Sequence, residues 1–101
     1  MNGENMMMAR IYLTETSAHL EKLLTLLRDV EKVRGVTVYR GIEGIGESGQ
    51  VLSASLVDLS LDLPIIVEFF DEAEKVQGII SHLQNNIKPG HIVSWPVQVS
   101  H

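Results

Sequence analysis

The sequence predicts an α+β sandwich, a four-stranded antiparallel sheet with two helices on one face, in the order strand, helix, strand, strand, helix, strand. Three observations predict it. Two stretches repeat apolar residues at helical spacing, and alternating stretches stand before and after each of them. The chain of 101 residues is also long enough for only one core, so residues 1–101 are expected to form a single domain.

Ala9, Ile11 and Leu13 alternate with Arg10, Tyr12 and Thr14, the period of a strand with one face in a core. Met6, Met7 and Met8 read as its beginning rather than as a thioether metal site, which would need more sulfur brought in from elsewhere. From Ser17 the period changes. Leu20, Leu23, Leu24, Leu27 and Val30 follow helical spacing, with charged residues mostly on the other side. Ser17 is suited to cap the start of this helix, and Gly35 to close its end in a left-handed conformation.

Residues 36–39 alternate again and are β-branched or aromatic, giving the second strand. The chain then enters a stretch with glycines at 41, 44, 46 and 49, which disfavour a regular element. A long flexible loop over about 41–52 is therefore expected, with Val57, Leu59 and Leu61 on an extended arm returning from it. Pro64 marks the start of the third strand, where a missing N–H is tolerated.

Residues 65–70 are apolar at nearly every position, which predicts a central strand covered on both faces. Asp71 with Glu74 resembles a capping box, and Val76, Ile79, Ile80, Leu83 and Ile87 carry the stripe of the second helix. Gly78 within that helix costs about 1 kcal/mol relative to Ala, which implies close packing on the sheet. Pro89 and Gly90 turn the chain into a last strand with Val93, Trp95, Val97 and Val99 alternating, and Pro96 puts it at an edge. The whole is a ferredoxin-like βαββαβ order, each helix crossing right-handedly between parallel neighbours.

Eight Lys and Arg against thirteen Asp and Glu leave a net charge of −5, which disfavours nucleic acid and anionic lipid. With no cysteine, disulfides and thiolate metal sites are excluded. The first eight residues lack the pattern of a secretory signal, and no apolar run approaches the ~20 residues that span a bilayer. A cytoplasmic protein without membrane insertion is expected.

Two helices cover only one face of the sheet. By alternation the other face carries Met8, Arg10, Tyr12, Thr37, Tyr39, Ile66, Glu68 and Phe70, a composition enriched at protein interfaces. Burying each Ile or Phe contributes roughly 1.5–3 kcal/mol, so self-association through this face is expected, against the plainer reading that scattered apolar residues on an open sheet need no partner.

Gly35-Val36-Thr37-Val38, then Glu43-Gly44-Ile45-Gly46, then Asp62-Leu63-Pro64 leading into Ile66-Val67-Glu68 resemble the second strand, loop base and third strand of the PII signalling proteins. The segment from Arg40 to Gly46, Arg-Gly-Ile-Glu-Gly-Ile-Gly, is closer still to an uncharacterised PII-like family of unknown function. The resemblance covers about Arg10 to Val99. It implies a homotrimer with ligand clefts between subunits, binding an adenine nucleotide (ATP, ADP or AMP) and signalling through the long loop to a regulated enzyme or membrane transporter. The sequence departs from the PII pattern at Glu47-Ser48, where PII proteins have Arg-Gln. It departs again at the shortened phosphate loop Lys88-Pro89-Gly90-His91, and it lacks a basic segment after the last strand.

The residues nominated for ligand binding are Arg40, Gly41, Glu43, Gly44, Gly46, Glu47, Ser48, Lys88, Gly90 and His91. Successive N–H groups in a glycine-rich turn form a concavity suited to an anion, the plain alternative being a glycine-rich hairpin tip. Arg40 and Lys88 are the cations nearest this region, unless they only pair with Glu43 or Glu47. His19, His82, His91 and His101 lack local metal spacing and read as surface histidines, His91 being the one beside the phosphate loop. No nucleophile with an adjacent base is visible, so an enzyme is not expected. Trp95 reads as packing at the sheet edge or under a neighbouring subunit, with stacking on a base the minor alternative. Two alternative functions remain: a trimer that binds divalent metal, as the CutA proteins of this architecture do, and an interaction protein without a ligand.

Overall fold

A computed structural model describes residues 5–15, 19–46, 49, 51–53 and 63–100. Strands β1 (Met6–Thr14), β2 (Gly35–Arg40), β5 (Pro64–Glu72) and β6 (Ile92–Val97) form one sheet in the order β2-β5-β1-β6. All three pairings are antiparallel. The parallel strands joined by a helix are thus not neighbours, contrary to expectation. Between β1 and β2 lies β5, which lets both crossings stay on one face while every ladder is antiparallel. β5 is central and starts at Pro64, and β6 with Pro96 lies at an edge, as expected.

Alternation sends Ala9, Ile11, Ile65, Val67 and Phe69 to the helix side, where they join Leu27, Val76, Ile79 and Leu83 in the core. Helix α2 (Ala73–Leu83) supplies the last three of these. Its N-cap is Glu72, with no side-chain cap bond, so the capping box at Asp71 and Glu74 does not form. Asp71 is instead the buried end of β5. Its carboxylate accepts from the backbone N–H groups of Arg34 at 3.1 Å and Glu72 at 2.7 Å, and Lys75 Nζ lies 3.2 Å away. The strand runs on because these bonds satisfy the carboxylate in place, tying β2's entrance to the start of α2. Gly78 is exposed and a Cβ there would meet nothing within 4 Å, so the expected close helix-to-sheet approach is absent.

The first helix is shorter than its periodicity predicts. Helix α1 (Leu20–Thr25) passes into a π-helical turn over Leu26–Val30, closed by Glu31 N–H to Leu26 O at 2.8 Å and Val33 N–H to Leu27 O at 3.0 Å. The wider turn keeps Leu27 buried but rotates Val30 off the stripe, leaving it 66% exposed. Lys32, at φ 53°, makes the left-handed step out of the turn. Gly35 does not, and is already β2. Its missing Cβ serves another purpose: a methyl there would lie 2.5 Å from Cε1 of Phe70, its partner across β5. The proposed cap at Ser17 and the arm at Val57, Leu59 and Leu61 lie outside the described residues.

The glycine-rich stretch also differs from expectation. It forms a second, two-stranded sheet, β3 (Glu43–Ile45) paired antiparallel with β4 (Val51–Ser53). Glycine disfavours strand on entropy alone, but a hairpin needs only a few paired residues and one left-handed turn position. Gly49 supplies that position, with φ 81°.

Candidate functional site

The C-terminal ends of β1 and β2 and the N-terminal ends of β5 and β6 meet at one end of the sheet. The nominated residues that are described sit there in two groups. The first surrounds Pro64. Gly41 N–H donates to Pro64 O at 2.8 Å, and Glu15 N–H to Leu63 O at 3.0 Å. A Cβ on Gly41 would come within 2.7 Å of Pro64 Cγ, and one on Gly44 within 3.3 Å. These two glycines let the base of the hairpin close on the proline ring, a packing reason beside any anion-binding one. Gly46 has open space around it, and its carbonyl accepts from Gly49 N–H at 2.9 Å, so that amide is already committed to the turn.

Arg40, the last residue of β2, pairs with Glu15 at 2.8 Å. Glu43 or Glu47 is the plainer alternative partner that the sequence offers for Arg40; the residue just after β1, Glu15, takes that place, from 25 residues earlier in the chain (40 − 15 = 25). With Arg40 64% and Glu15 32% exposed, the pair is solvent-screened and open to exchange for another anion. Glu43 is exposed on β3. Glu47 and Ser48 lie outside the described residues.

The second group is the turn from α2 into β6. Gly90 takes a left-handed φ of 84°, and His91 N–H donates to Lys88 O at 3.2 Å. Tyr12 N–H donates to His91 O at 2.8 Å, and His91 Nδ1 lies 3.3 Å from Tyr12 O, which seats the turn on β1. Lys88 and Gly90 line a shallow cleft of about 290 Å³ with Gln84, Ile87, Pro89 and Ile92. The two groups do not meet within the chain. Along one register line Arg40 faces Ile65 and Ile65 faces Leu13, and β6 lies one strand further, so Arg40 and turn 88–91 are roughly 14 Å apart across the sheet.

The open face carries a network that spacing alone had not assembled. Register places Thr37, Glu68, Arg10 and Val93 in one row across four strands. The Arg10 guanidinium pairs with the Glu68 carboxylate, Tyr39 Oη–H donates to Glu68 Oε1 at 3.2 Å, and Arg10 lies 5.1 Å over the Trp95 ring. Arg10 Nη1 also donates to Tyr12 Oη at 3.4 Å. These bonds, Tyr12 first and Glu68 second, raise the Arg10 pKa and hold its charge. Glu68 is only 9% exposed, while Met8, Ile66 and Phe70 flank the row half-buried. Trp95 therefore belongs to this face from edge strand β6. Its alternation is visible in the sequence, but the side it faces is decided by pairing with β1.

Among the described residues no group of three or more His, Asp or Glu could hold a metal ion, and no helix is long and apolar enough to cross a membrane. The fold is shared with solved PII-like structures. CPII of Thiomonas intermedia K12, bound to ADP and bicarbonate, is 22% identical with a TM-score of 0.70, covering 95% of this chain and 89% of that one. CutA1 of Oryza sativa is 11% identical with a TM-score of 0.64, covering 95% and 83%. In sequence, a UPF0166 protein of Methanocaldococcus jannaschii is 33% identical over 75 residues, 74% of this chain and 65% of that protein. The chain spans 50 to 70% of the length of the UPF0166 relatives it matches. The overall fold thus recurs in these structures, and the model of the DUF190 family, uncharacterized ACR (COG1993), matches residues 6–99: the chain belongs to that family.

Proposed function

We propose that the protein is a single-domain PII-like regulatory sensor, a cytoplasmic homotrimer that binds a small anionic ligand between subunits. The observation that carries this reading is the separation of the two half-sites. Each offers one cation, Arg40 or Lys88, at the same end of the sheet but on opposite edges. A single chain cannot close both on one small molecule, whereas a ring of copies sets one edge of each subunit against the other edge of the next. The half-apolar open face provides the surface through which such copies pack.

An adenine nucleotide is the ligand class, a reading supported by the ADP-bound CPII structure. Arg40, released from Glu15, and Lys88 hold phosphate, with the backbone of Gly41, Glu43, Gly44, Gly46, Gly90 and the His91 ring around it. Glu47 and Ser48, outside the described residues, are proposed as further ligand contacts. The hairpin β3–β4 reports occupancy to a regulated enzyme or membrane transporter, binding rather than catalysis being its task. Calorimetry with ADP, alongside light scattering, tests this. Arg40→Ala and Lys88→Ala each abolish binding, and mixing the two variants under reassembly restores about a quarter of the sites, because only one pairing of neighbours carries both cations. Failure of the mixture to restore any site would sink the shared cleft. The same titration with divalent ions tests the CutA-like alternative.

A further inference from the structure

On the helix side, opposite the proposed assembly face, the first helical segment and the end of α2 do not close over the end of β1. A cleft of about 420 Å³ remains between them, within the range of roughly 300–1,000 Å³ typical of small-molecule sites. Its apolar lining is Leu13 from β1, Leu23 and Leu26 from the first helical segment, and Leu83 and Ile87 from the second and the turn beyond it. These side chains are continuous with the core, yet all but Leu83 keep part of their surface open to water.

The polar lining is His19, Lys22 and Asn86. On a chain of net charge −5 this cleft presents an ammonium, an imidazole and an amide, and no carboxylate among its described lining residues. The nearest acid in sequence, Glu21, is not among the residues that line this cleft; it lines the neighbouring groove together with Lys22, Thr25, Leu26 and Val30. Lys22 makes no ion pair among the described residues. From these features we infer that the inter-helix cleft binds a small aliphatic monocarboxylate. The chain lies on the leucines, and the carboxylate meets Lys22 at the rim with His19 and Asn86 beside it. A single cleft of this volume suits one short chain. A partner helix would need anchor pockets repeated over several turns.

The test is titration of the full chain with octanoate, followed by amide chemical shifts and calorimetry, with hexanoate, octanol and octylamine as comparison probes. Octanoate is expected to move the amides of Leu23, Leu26, Asn86 and Ile87 saturably, leaving those of Glu68 and Arg10 in place. Hexanoate should bind about tenfold or more weakly, since two fewer methylenes are buried, and octylamine should not saturate. Lys22→Glu, an exposed change that leaves the core intact, should lower octanoate affinity at least tenfold and leave octanol unchanged. Equal binding of octylamine and octanoate, or shifts spread over the open sheet face, would overturn the assignment. So would an amphipathic peptide that saturates the same amides while millimolar octanoate does not. None of these readings depends on ADP or on the mass of the assembly, so this site and the proposed nucleotide cleft stand or fall separately.

Discussion

Strand β5 contributes Ile65, Val67 and Phe69 to one face of the sheet and Ile66, Glu68 and Phe70 to the other. On the first face the residues are closed over by helices, and Phe69 is wholly buried. On the second, Ile66 and Phe70 are half-buried and Glu68 is buried by its neighbours Arg10 and Tyr39. The same strand thus serves a finished core and an unfinished one. An apolar face completes itself by helix packing within the chain. A face with a charged row at its centre satisfies its polar groups locally and leaves the flanking apolar surface for another body to cover.

Four changes break or sharpen this contrast. The largest effect is expected from Phe69→Ala, which opens a cavity in the finished core and costs about 3–5 kcal/mol in denaturant unfolding, without changing the mass of the folded species. Next is Glu68→Ala, which strips the carboxylate from Arg10 and Tyr39. It should cost less in unfolding but dissociate the proposed trimer, read by light scattering, whereas Arg10→Met with Glu68→Leu should restore much of the lost stability. If Glu68→Ala leaves assembly intact, the row is not part of the interface.

Gly35→Ala should follow, at about 1–3 kcal/mol, because its methyl meets the Phe70 ring at 2.5 Å; pairing it with Phe70→Leu should relieve the loss. The smallest effect has the opposite sign. Gly78→Ala on the exposed face of α2 should raise stability by about 0.8–1 kcal/mol, since a Cβ there has open space and better helix propensity. A loss instead would mean that Gly78 is covered in the assembly.

Why some glycines were legible and others were not follows from what each one faces. The left-handed turn at Gly49 is a local matter of backbone conformation, which a cluster of glycines announces as a loop but not as the tip of a paired hairpin. Gly35, Gly41 and Gly44 are required by rings at positions 64 and 70, far along the chain, and nothing local distinguishes them from a cap or a loop residue. Asp71 is similar. Ahead of a helix it reads as a cap, and it becomes a strand end because Arg34 N–H and Lys75 reach it from two other elements. In the candidate site, Arg40 is exposed, but its partner Glu15 comes from the residue just after β1, and no spacing rule links the two.

Local pattern alone is enough for the six main elements of the βαββαβ order, the alternation within each strand and the edge position of the last one. Those follow from periods of 2 and 3.6 and from proline, which act within a few residues. Contacts between distant segments set the register that lines up Trp95, Arg10, Glu68 and Tyr39, the helical widening at Leu26–Val30, the inter-helix cleft, and the placing of Arg40 and turn 88–91 on opposite edges. These are set by pairing between distant segments, where a slip of one residue would send every side chain to the other face.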